Sequence, residues 1–581
     1  MHIEERNDIP DAIIRTSKWW LQHLHVVDKT GQVPGLGAIN WKEGIRALYD
    51  SGVWWKNIDN RGDDEVAEIY LLGTDIGTQG TKTIMVDPYG KVIASAFSEY
   101  DVMKPKPSWA EQWPDVWVKA VLDTIKEIVE KANVKPSNIA GIALSGLYGG
   151  SGIPVDKDMN PIRPCLIWMD RRATDEVQWV KKNVDKDKIF EITGNYVDSY
   201  YGFTKMMWIR NKEPDNWKKI YQFITPKDYA IYKLTGENVT DLSSAGNIGG
   251  IFDIRKRTWS KEMCKTLGIP ISMLPKRITR SADVVGKISR NASELCGLLE
   301  GTPVVAGGID APVASLSAGV LEEKSHVAMT GTSICWGVIH KGQHLSPKLV
   351  SFPYVAYDDE MVYTFGGAAT AGGIVRWFRD QFGSKEREVE RELNISAYRI
   401  LDEQAADVLP GSEGILLLPY FMGERSPIWD PDAKGTIIGL TLYHTRKHIY
   451  RAILEGVAYS LRHNIEAGLE SGLEIADECI MVGGATRSRL WMKIFSDVTG
   501  YPIKTIVQNV EAPYGDALLA GVGTGVLDSY QRIKDWVKFD KTIYPDKKLK
   551  KIYDRYFVEY KKAYESLKEV MKTLGDIGTI S

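Results

Sequence analysis

The chain has 581 residues, of which 44% are hydrophobic and 26% are charged, and its formal net charge is −3 at pH 7. This length allows more than one domain with its own core, and the composition is that of an ordinary globular protein. A nucleic-acid partner or an anionic membrane surface would favour a basic surplus, which this chain lacks.

The N-terminal stretch MHIEERNDIPDAII is charged and has no apolar core of the kind found in signal peptides. No run of about 18 apolar residues predicts a membrane-spanning helix. The five cysteines are scattered without a Cys-x-x-Cys pair, which favours reduced thiols over a disulfide framework. We therefore expect a cytoplasmic protein with neither a membrane nor a nucleic-acid partner.

Residues 1–66 differ in composition from the rest of the chain. They hold five of the 18 tryptophans: Trp19, Trp20, Trp41, Trp54 and Trp55. We predict a helical extension that packs these rings on the main body or on another subunit.

A β pattern begins at Glu68. EIYLLGTD, TKTIMVD and KVIASAFSE read as three strands joined by short turns, which predicts an antiparallel meander. PDVWVKAVLDTIKEIVEKAN then has apolar residues at helical spacing, and NIAGIALSG reads as a buried strand.

The later stretch HVAMTGTSICWGVI again reads as strand, Gly-Thr turn and strand. Two such units far apart in the chain favour two domains of one type facing each other. Helices and strands alternate after it, and KKIYDRYFVEYKKAYESLKEVMKTL predicts a terminal amphipathic helix with a tyrosine stripe.

The segment LLGTDIGTQGTKTIMVD matches neither the Walker loop nor the dinucleotide fingerprint. A Gly-Thr turn between strands can still offer N–H groups and hydroxyls to phosphate. Asp75 would repel a bare phosphate unless a divalent cation lay between them, and Mg²⁺ usually binds one or two carboxylates plus substrate phosphates. The segment therefore favours a Mg²⁺–nucleotide site, with a purely structural hairpin as the alternative.

Two further loops have features of binding sites. In TPVVAGGIDAPVASLSAGV, Asp310 follows glycines at a strand end, where a general base could reach a substrate; the alternative is a helix N-cap. In MVGGATRSRLW, Gly483 and Gly484 would allow close approach of a flat or anionic ligand, or would form a tight turn.

Taken together, these stretches resemble the FGGY carbohydrate kinases, which have the actin-like ATPase fold. The resemblance covers about residues 69–540 and includes GTDIGTQGTK, WAEQWPDVW, LIWMDRRA, PKDYAIYKLTGENVTD, VVAGGIDA, MTGTS and GGATRSRLW. It implies an α/β protein with two RNase-H-like domains facing across a cleft. The expected parts are an N-terminal extension (1–66), a sugar and first-phosphate-loop domain (67–317), a nucleotide domain (318–540) and a C-terminal amphipathic helix (541–581).

The resemblance also implies ATP and Mg²⁺ as cofactors and Asp310 as the general base toward a sugar hydroxyl, with Mg²⁺ near Asp75 and Asp310. It assigns the phosphates and the nucleotide to Thr78, Gln79, Gly80, Lys82, Gly331, Thr332, Gly372, Gly483, Gly484 and Ser488. It assigns the sugar side to Trp109, Glu111, Tyr148, Gly149, Asp310 and Ala311. A homodimer is left open by analogy with the family.

The chain departs from the family on the sugar side. Xylulokinase-like members have Gln-Met-His-Gly where this chain has Leu147 to Gly150. At the position of Ala311, xylulokinases usually have asparagine and glycerol kinases glutamine. Lost polar contacts change which polyol is accepted. A ketopentose such as xylulose is the first expectation; ribulose, a hexulose, a tetritol, a signalling sugar and a non-catalytic actin-like nucleotide-binding scaffold are alternatives.

Overall fold

The computed structural model describes residues 68–508 and 511–578. The predicted Trp-rich extension, residues 1–66, lies outside them. Within the described ranges, no helix is both long enough and apolar enough to cross a bilayer. All the elements below belong to the compact unit Ile69–Ser581.

The strands are β1 Tyr70–Ile76, β2 Gly80–Val86, β3 Val92–Glu99, β4 Glu111–Gln112, β5 Ile139–Gly146, β6 Ile153–Val155, β7 Cys165–Leu166, β8 Gln222–Ile224, β9 Thr240–Asp241, β10 Phe252–Asp253, β11 Thr258–Trp259, β12 Ile278–Thr279, β13 Val284–Lys287, β14 Pro303–Val305, β15 His326–Thr330, β16 Ile334–His340, β17 Val350–Pro353, β18 Val362–Ala368, β19 Leu416–Leu418, β20 Thr436–Ile438, β21 Cys479–Gly483 and β22 Ile503–Thr505.

The α-helices are α1 Pro114–Ala132, α2 Thr174–Asn183, α3 Lys186–Thr193, α4 Gly202–Lys212, α5 Pro214–Trp217, α6 Pro226–Thr235, α7 Leu242–Asn247, α8 Lys261–Leu267, α9 Arg290–Cys296, α10 Asp310–Ser317, α11 Gly372–Phe382, α12 Ser384–Leu393, α13 Ala397–Ala406, α14 Arg446–Glu470, α15 Arg489–Thr499, α16 Ala512–Thr524, α17 Ile533–Trp536 and α18 Lys547–Gly578.

The first sheet has the strand order β13-β14-β5-β1-β2-β3. Strands β1, β2 and β3 form the predicted antiparallel meander, and β5 and β14 continue the sheet in parallel with β1. Helix α1 packs on this sheet through Trp117, Val121, Ile125 and Ile128, all buried as the apolar spacing predicts.

The second sheet, β17-β18-β16-β15-β21-β22, repeats that arrangement. Strand β15 is antiparallel to β16 and parallel to β21, as β1 is to β2 and β5. The prediction of two domains of the same type is confirmed. In both sheets the glycine- and threonine-containing turn joins the first two strands.

Helices α10 and α16 connect the two sheets. Helix α16 follows β22 along the chain, yet it packs on β1 and β5 of the first sheet and against α10. Its backbone comes so close to β1 that a Cβ on Gly73 would lie 1.8 Å from the carbonyl oxygen of Pro513. Gly73 therefore serves helix–sheet packing, since only glycine allows this approach.

The C-terminal helix α18 buries an aromatic stripe on α14 and α15, as predicted for an amphipathic helix. Tyr553 and Tyr560 are fully buried, and each hydroxyl has a partner: Tyr553 donates to Glu455 at 2.9 Å, and Tyr560 bonds Tyr420 at 2.8 Å. These bonds satisfy groups that would otherwise be unpaired in the core.

Candidate active site

The turn between β1 and β2 is held from three sides. Gln112 donates to the Thr78 carbonyl at 3.0 Å, and the Tyr100 hydroxyl donates to the Gly77 carbonyl at 2.7 Å. The Trp168 indole donates to the Thr78 hydroxyl at 3.0 Å, so that hydroxyl keeps its own proton for another acceptor. Gln79 is exposed. These three hydrogen bonds fix the turn to the surrounding first domain.

Gly80 and Lys82, the other first-loop candidates, have protein neighbours. A Cβ on Gly80 would lie 2.3 Å from the Phe97 ring, so this glycine is required by packing. The Lys82 ammonium forms an ion pair with Glu511 at 2.6 Å. Any phosphate that Lys82 bound would compete with this carboxylate.

Asp75 lies one residue before the end of β1, opposite Lys82 and Ser145 in the sheet register. The Ser145 hydroxyl donates to the Asp75 carboxylate at 3.0 Å. Burial and, to a smaller extent, the nearby charge of Asp310 raise the pKa of Asp75 to about 7. Taken as a whole residue, Asp75 is partly buried.

The Ser145 oxygen also lies 2.6 Å from a carboxylate oxygen of Asp516, on α16. A hydroxyl has one proton to donate, so one of the two carboxyl groups must supply the proton of the second bond. Burial raises the pKa of Asp516 well above its usual range, in keeping with a neutral acid. Asp516, Ser145 and Asp75 thus form a hydrogen-bonded chain from α16 to the first loop.

Asp310 is the first residue of α10 rather than its N-cap, which is Ile309 and makes no side-chain cap bond. The alternative reading of Asp310 as an N-cap is therefore wrong. Its carboxylate accepts one hydrogen bond, from the Ala311 N–H at 2.7 Å. Burial raises its pKa to about 6, which suits a group that must accept a proton near neutral pH.

A buried ionic framework holds the turn that leads into Asp310. The Lys227 ammonium donates to the Ala306 carbonyl at 3.0 Å and pairs with Asp241 at 2.9 Å. Asp241 accepts from the Ser243 hydroxyl, which in turn accepts from the Ile309 N–H at 3.1 Å. The segment PKDYAIYKLTGENVTD, which carries part of the family resemblance, supplies Lys227 and Asp241 and thus helps to position the backbone beside Asp310.

In the second domain, the turn between β15 and β16 exposes Gly331 and Thr332. The Gly372 N–H at the start of α11 donates to the Gly331 carbonyl at 3.0 Å. A Cβ on Gly372 would lie 2.5 Å from that oxygen. The structure therefore brings these three candidate residues together at one end of the second sheet.

The candidate residues in the loop after β21 have different structural roles. Gly483 has φ +98°, and a Cβ there would lie 2.0 Å from the Thr330 carbonyl oxygen, so its conformation and packing both require glycine. Ser488 caps α15 by accepting from the Trp491 N–H at 3.0 Å. A Cβ on Gly484 would meet no atom within 4 Å, which leaves its backbone accessible to a ligand.

On the sugar side, Trp109 and Glu111 belong to an arginine cluster. One Glu111 oxygen accepts from Arg163 and from Arg172, each at 2.7 Å. The Arg172 guanidinium lies 3.5 Å from the centre of the Trp109 ring and pairs with the buried Asp170. These charge-assisted contacts fix both candidates in place.

Tyr148 and Gly149 are both buried. Tyr148 is buried, and its hydroxyl accepts from the Gly202 N–H while its ring contacts Tyr200 at 5.0 Å. A Cβ on Gly149 would lie 2.3 Å from Pro226. The site has no room for a histidine at 149 in this backbone, and Ala311 beside Asp310 offers no side-chain hydrogen bond.

Comparison with known proteins decides the family. Residues 70–317 match the N-terminal domain, and residues 326–524 the C-terminal domain, of the FGGY family of carbohydrate kinases. The chain belongs to the FGGY family of carbohydrate kinases. It is therefore a carbohydrate kinase, as its motif order implies.

Relatives of this FGGY kinase differ in the sugar named for them. It is 30% identical to the xylulose kinase of Bacillus subtilis (strain 168) over 513 residues, 87% of this chain and 98% of that protein. It is also 30% identical to the gluconokinase of the same strain over 470 residues, 81% of this chain and 90% of that protein. Sugar kinase activity is common to both.

The fold agrees with this membership. The crystal structure of xylulose kinase from Rhodospirillum rubrum superposes with a TM-score of 0.77 at 28% identity, covering 86% of this chain and 99% of that one. The predicted two-domain α/β architecture is confirmed for the described part of the FGGY kinase.

The carboxylates of this FGGY kinase fit a divalent cation. Within residues 68–508 and 511–578, neither Asp75 nor Asp310 forms an ion pair with a lysine or arginine, and both pKa values are raised. The same ranges contain no group of three or more His, Cys, Asp or Glu side chains placed to hold a metal. Mg²⁺ suits such a site because it binds one or two carboxylates together with phosphates and water.

Sequence analysis missed three side chains near this site. The Trp168 indole donates a hydrogen bond to the first loop, and Tyr200 lies close enough to Asp310 for that charge to raise the pKa of Tyr200. Arg425, from the second domain, contacts the Trp168 ring. Trp168 stood in the quoted segment LIWMDRRA. Arg425 stands in GERSP, whose adjacent Glu, Arg and Ser before a proline were the available signal.

Proposed function

We propose that this FGGY kinase transfers the γ-phosphoryl group of ATP to a hydroxyl of a sugar or polyol, and that its substrate is a ketopentose such as xylulose. One arrangement carries this proposal: Asp75 and Asp310 form no ion pair with a lysine or arginine in the described ranges, and Asp310 is close enough to Asp75 for its charge to raise the pKa of Asp75. They lie by β1 and at the start of α10, and the first of the two Gly-Thr turns directly follows β1.

In the proposed reaction, Asp310 accepts the proton of the sugar hydroxyl as its oxygen attacks the γ-phosphorus in line. The bond from that phosphorus to the β–γ bridging oxygen breaks, and ADP leaves. Positioning and charge stabilisation do most of the work in such a transfer. The backbone N–H groups of the turns at Thr78 and Thr332 would hold phosphate oxygens.

Mg²⁺, when held by Asp75 and Asp310, would neutralise charge on the phosphates. Burial raises the pKa of both carboxylates, and the charge of Asp310 adds to the shift at Asp75. Ser145 keeps Asp75 oriented by its hydrogen bond. The residues of this chain thus bind, orient and accept one proton.

Gluconate is a second candidate because a gluconokinase is as similar to this chain as a xylulose kinase, at 30% identity. The residues at 147–150 and 311 differ from the xylulokinase pattern, so the sugar side does not by itself select xylulose. The motif order favours a ketopentose, and an activity assay decides between a ketopentose and gluconate.

The purified protein should be assayed by coupled ADP release with Mg²⁺, ATP and a panel containing xylulose, ribulose, a hexulose, a tetritol and gluconate. The expected result is the highest kcat/KM with a ketopentose and a phosphorylated sugar as product. A higher kcat/KM for gluconate would replace the ketopentose assignment. Nucleotide binding without phosphorylation of any sugar would favour the non-catalytic scaffold.

A further inference from the structure

A loop of the second domain, residues 419–432, reaches the first domain; we refer to it as the crossing loop. It is anchored at the end of β18. The Glu424 carboxylate accepts from the Ala369 N–H at 2.7 Å, and the Ser426 hydroxyl accepts from the Gly367 N–H at 2.6 Å. The loop is therefore fixed to the second sheet before it crosses.

Trp429 makes the first contact across the domains. Its ring centre lies 6.1 Å from that of Tyr200 and 6.4 Å from that of Tyr201, both in the first domain. Its indole N–H donates to the Lys348 carbonyl at 2.8 Å. Aromatic contacts at these distances give a defined packing geometry, so they fix the position of the crossing loop beside Tyr200.

Arg425 makes the second contact, and its hydrogen bonding is incomplete. Its guanidinium lies 5.4 Å from the centre of the Trp168 ring. Nη2 is 3.4 Å from the Ala368 carbonyl and 3.6 Å from the Cys335 sulfur, both long contacts. Nε is enclosed and has no partner in the described ranges, although a guanidinium has five N–H donors.

The backbone leaves room for this guanidinium. A Cβ on Gly367 would lie 2.6 Å from Nη2 of Arg425. Enclosed donors without acceptors are costly. We therefore expect the N–H donors of Arg425 to find their acceptors on a bound ligand. Two neighbouring side chains place Arg425 close to the candidate active site. The Trp168 indole donates to Thr78 of the first loop, and Tyr200 lies close enough to Arg425 and Asp310 for both charges to shift its pKa.

Three of the sugar-side positions in the first domain offer few polar groups. Gly149 and Ala311 have no polar side chain, and the Tyr148 hydroxyl already accepts from Gly202. A sugar needs several hydrogen-bond partners when it is desolvated. The unused N–H groups of Arg425 are donors of the right kind, and they come from the opposite domain.

We propose that Arg425 is a sugar-binding residue contributed by the second domain, donating hydrogen bonds to oxygen atoms of the acceptor substrate. This inference rests on the proposed sugar kinase function. It makes the sugar a ligand of both domains, so that sugar recognition depends on the seating of the crossing loop against Trp168 and Tyr200.

The test compares Arg425→Gln and Arg425→Lys with wild type, using Arg399→Gln as the control. Arg399 is 75% exposed and pairs with Glu403 on its own helix. For the best sugar of the panel, Arg425→Gln should raise the sugar KM, and the sugar Kd measured by calorimetry without ATP, by about 10- to 100-fold. The KM for ATP should stay unchanged. Lysine keeps the positive charge but lacks the forked N–H donors of a guanidinium, so the increase in sugar KM and Kd should be smaller for Arg425→Lys.

Three results would overturn this assignment: unchanged sugar KM and Kd in both variants, a fall in kcat alone, or a rise in the KM for ATP alone. A fall in kcat alone would place Arg425 at the transferred phosphoryl group instead. If Arg425→Gln fails to fold, Arg425→Lys decides, because unchanged sugar constants in it refute the assignment. Wild-type protein that phosphorylates no sugar would refute the proposed function itself, before any variant is compared.

Discussion

The first turns of the two sheets have the same place in the strand order and different chemistry. In the first domain, Asp75 lies just before the turn and accepts one hydrogen bond, from Ser145. In the second, Thr330 ends β15 with its hydroxyl in use: it donates to the Val482 carbonyl at 2.9 Å and accepts from the Ala485 N–H at 3.2 Å.

This difference shows that two domains with the same topology can have different roles in ligand binding. An ionisable side chain with unused acceptor positions can take part in cation binding, whereas a saturated hydroxyl can only fix the neighbouring loop. We therefore propose that the first domain contributes the carboxylates and that the second contributes backbone N–H groups at Thr332 and Gly484, since the Gly331 N–H already donates to the Ser333 carbonyl. The predictions below test that division.

The largest expected effect is from Asp310→Asn. Asparagine cannot accept the sugar proton, so kcat should fall by about 10²- to 10⁴-fold, while nucleotide binding persists because Asp310 lies outside the loops that would hold the nucleotide. Steady-state kinetics and calorimetry with ATP provide the measurements. Asp158→Asn, an exposed change in the same domain, is the control. A kcat near that of wild type would remove Asp310 as the general base.

Asp75→Ala and Thr330→Ala test the contrast between the two turns directly. Loss of a charged ligand should raise the Mg²⁺ concentration at half-maximal rate by roughly 10-fold or more. Thr330→Ala should leave that concentration unchanged and affect only stability. Rates measured across a Mg²⁺ titration give both answers. An equal shift in the two variants, or none in Asp75→Ala, would abolish the proposed division.

Gly149→Ala tests whether the sugar-side departure is fixed by packing. The added Cβ would lie 2.3 Å from Pro226, so the free energy of unfolding should fall by about 1–3 kcal/mol. Denaturant unfolding is the measurement. Gly484→Ala, where a Cβ would meet no atom within 4 Å, is the matched control and should be nearly neutral. Equal stability of both variants would show that position 149 tolerates a side chain.

The smallest effect concerns pH. Because the pKa of Asp75 is raised to about 7 in the folded protein from an ordinary value of 3.8, the unfolded state loses this proton first. The free energy of unfolding should therefore decrease as pH rises between those values. Asp75→Asn removes this dependence, so without Mg²⁺ or nucleotide its thermal midpoint should exceed that of wild type at pH 8 and converge toward it at pH 5. A constant difference would contradict the shift.

Local patterns were sufficient for several parts of the molecule. The meander, α1 with its Trp117 stripe, and the aromatic face of α18 follow from periodicity, because burial of one face imposes that spacing. The pairing of two Gly-Thr turns predicted two similar domains. The position of Asp310 behind glycines indicated a site, although its place at the first residue of α10 required coordinates.

Other assignments depended on contacts between distant segments. Gly73 and Gly80 belong to a phosphate-loop motif, yet α16 and Phe97 are what require them to be glycine. Glu111 seemed free to bind sugar, yet two arginines engage it. No local pattern reveals such partners, because residues far apart in the chain supply them.

The amino-acid sequence by itself determined the kinase family, the two carboxylates and the order of the loops, since these are local motifs whose chemistry depends on residue type and spacing. Only the tertiary structure decided which side chains have unused hydrogen-bonding capacity. Asp75 and Arg425 retain it, while Thr330, Ser488 and Tyr148 use much of theirs within the protein. The reason is physical: a polar group can bind a ligand only with donors and acceptors that its own fold leaves unpaired, and folding brings those partners from distant parts of the chain.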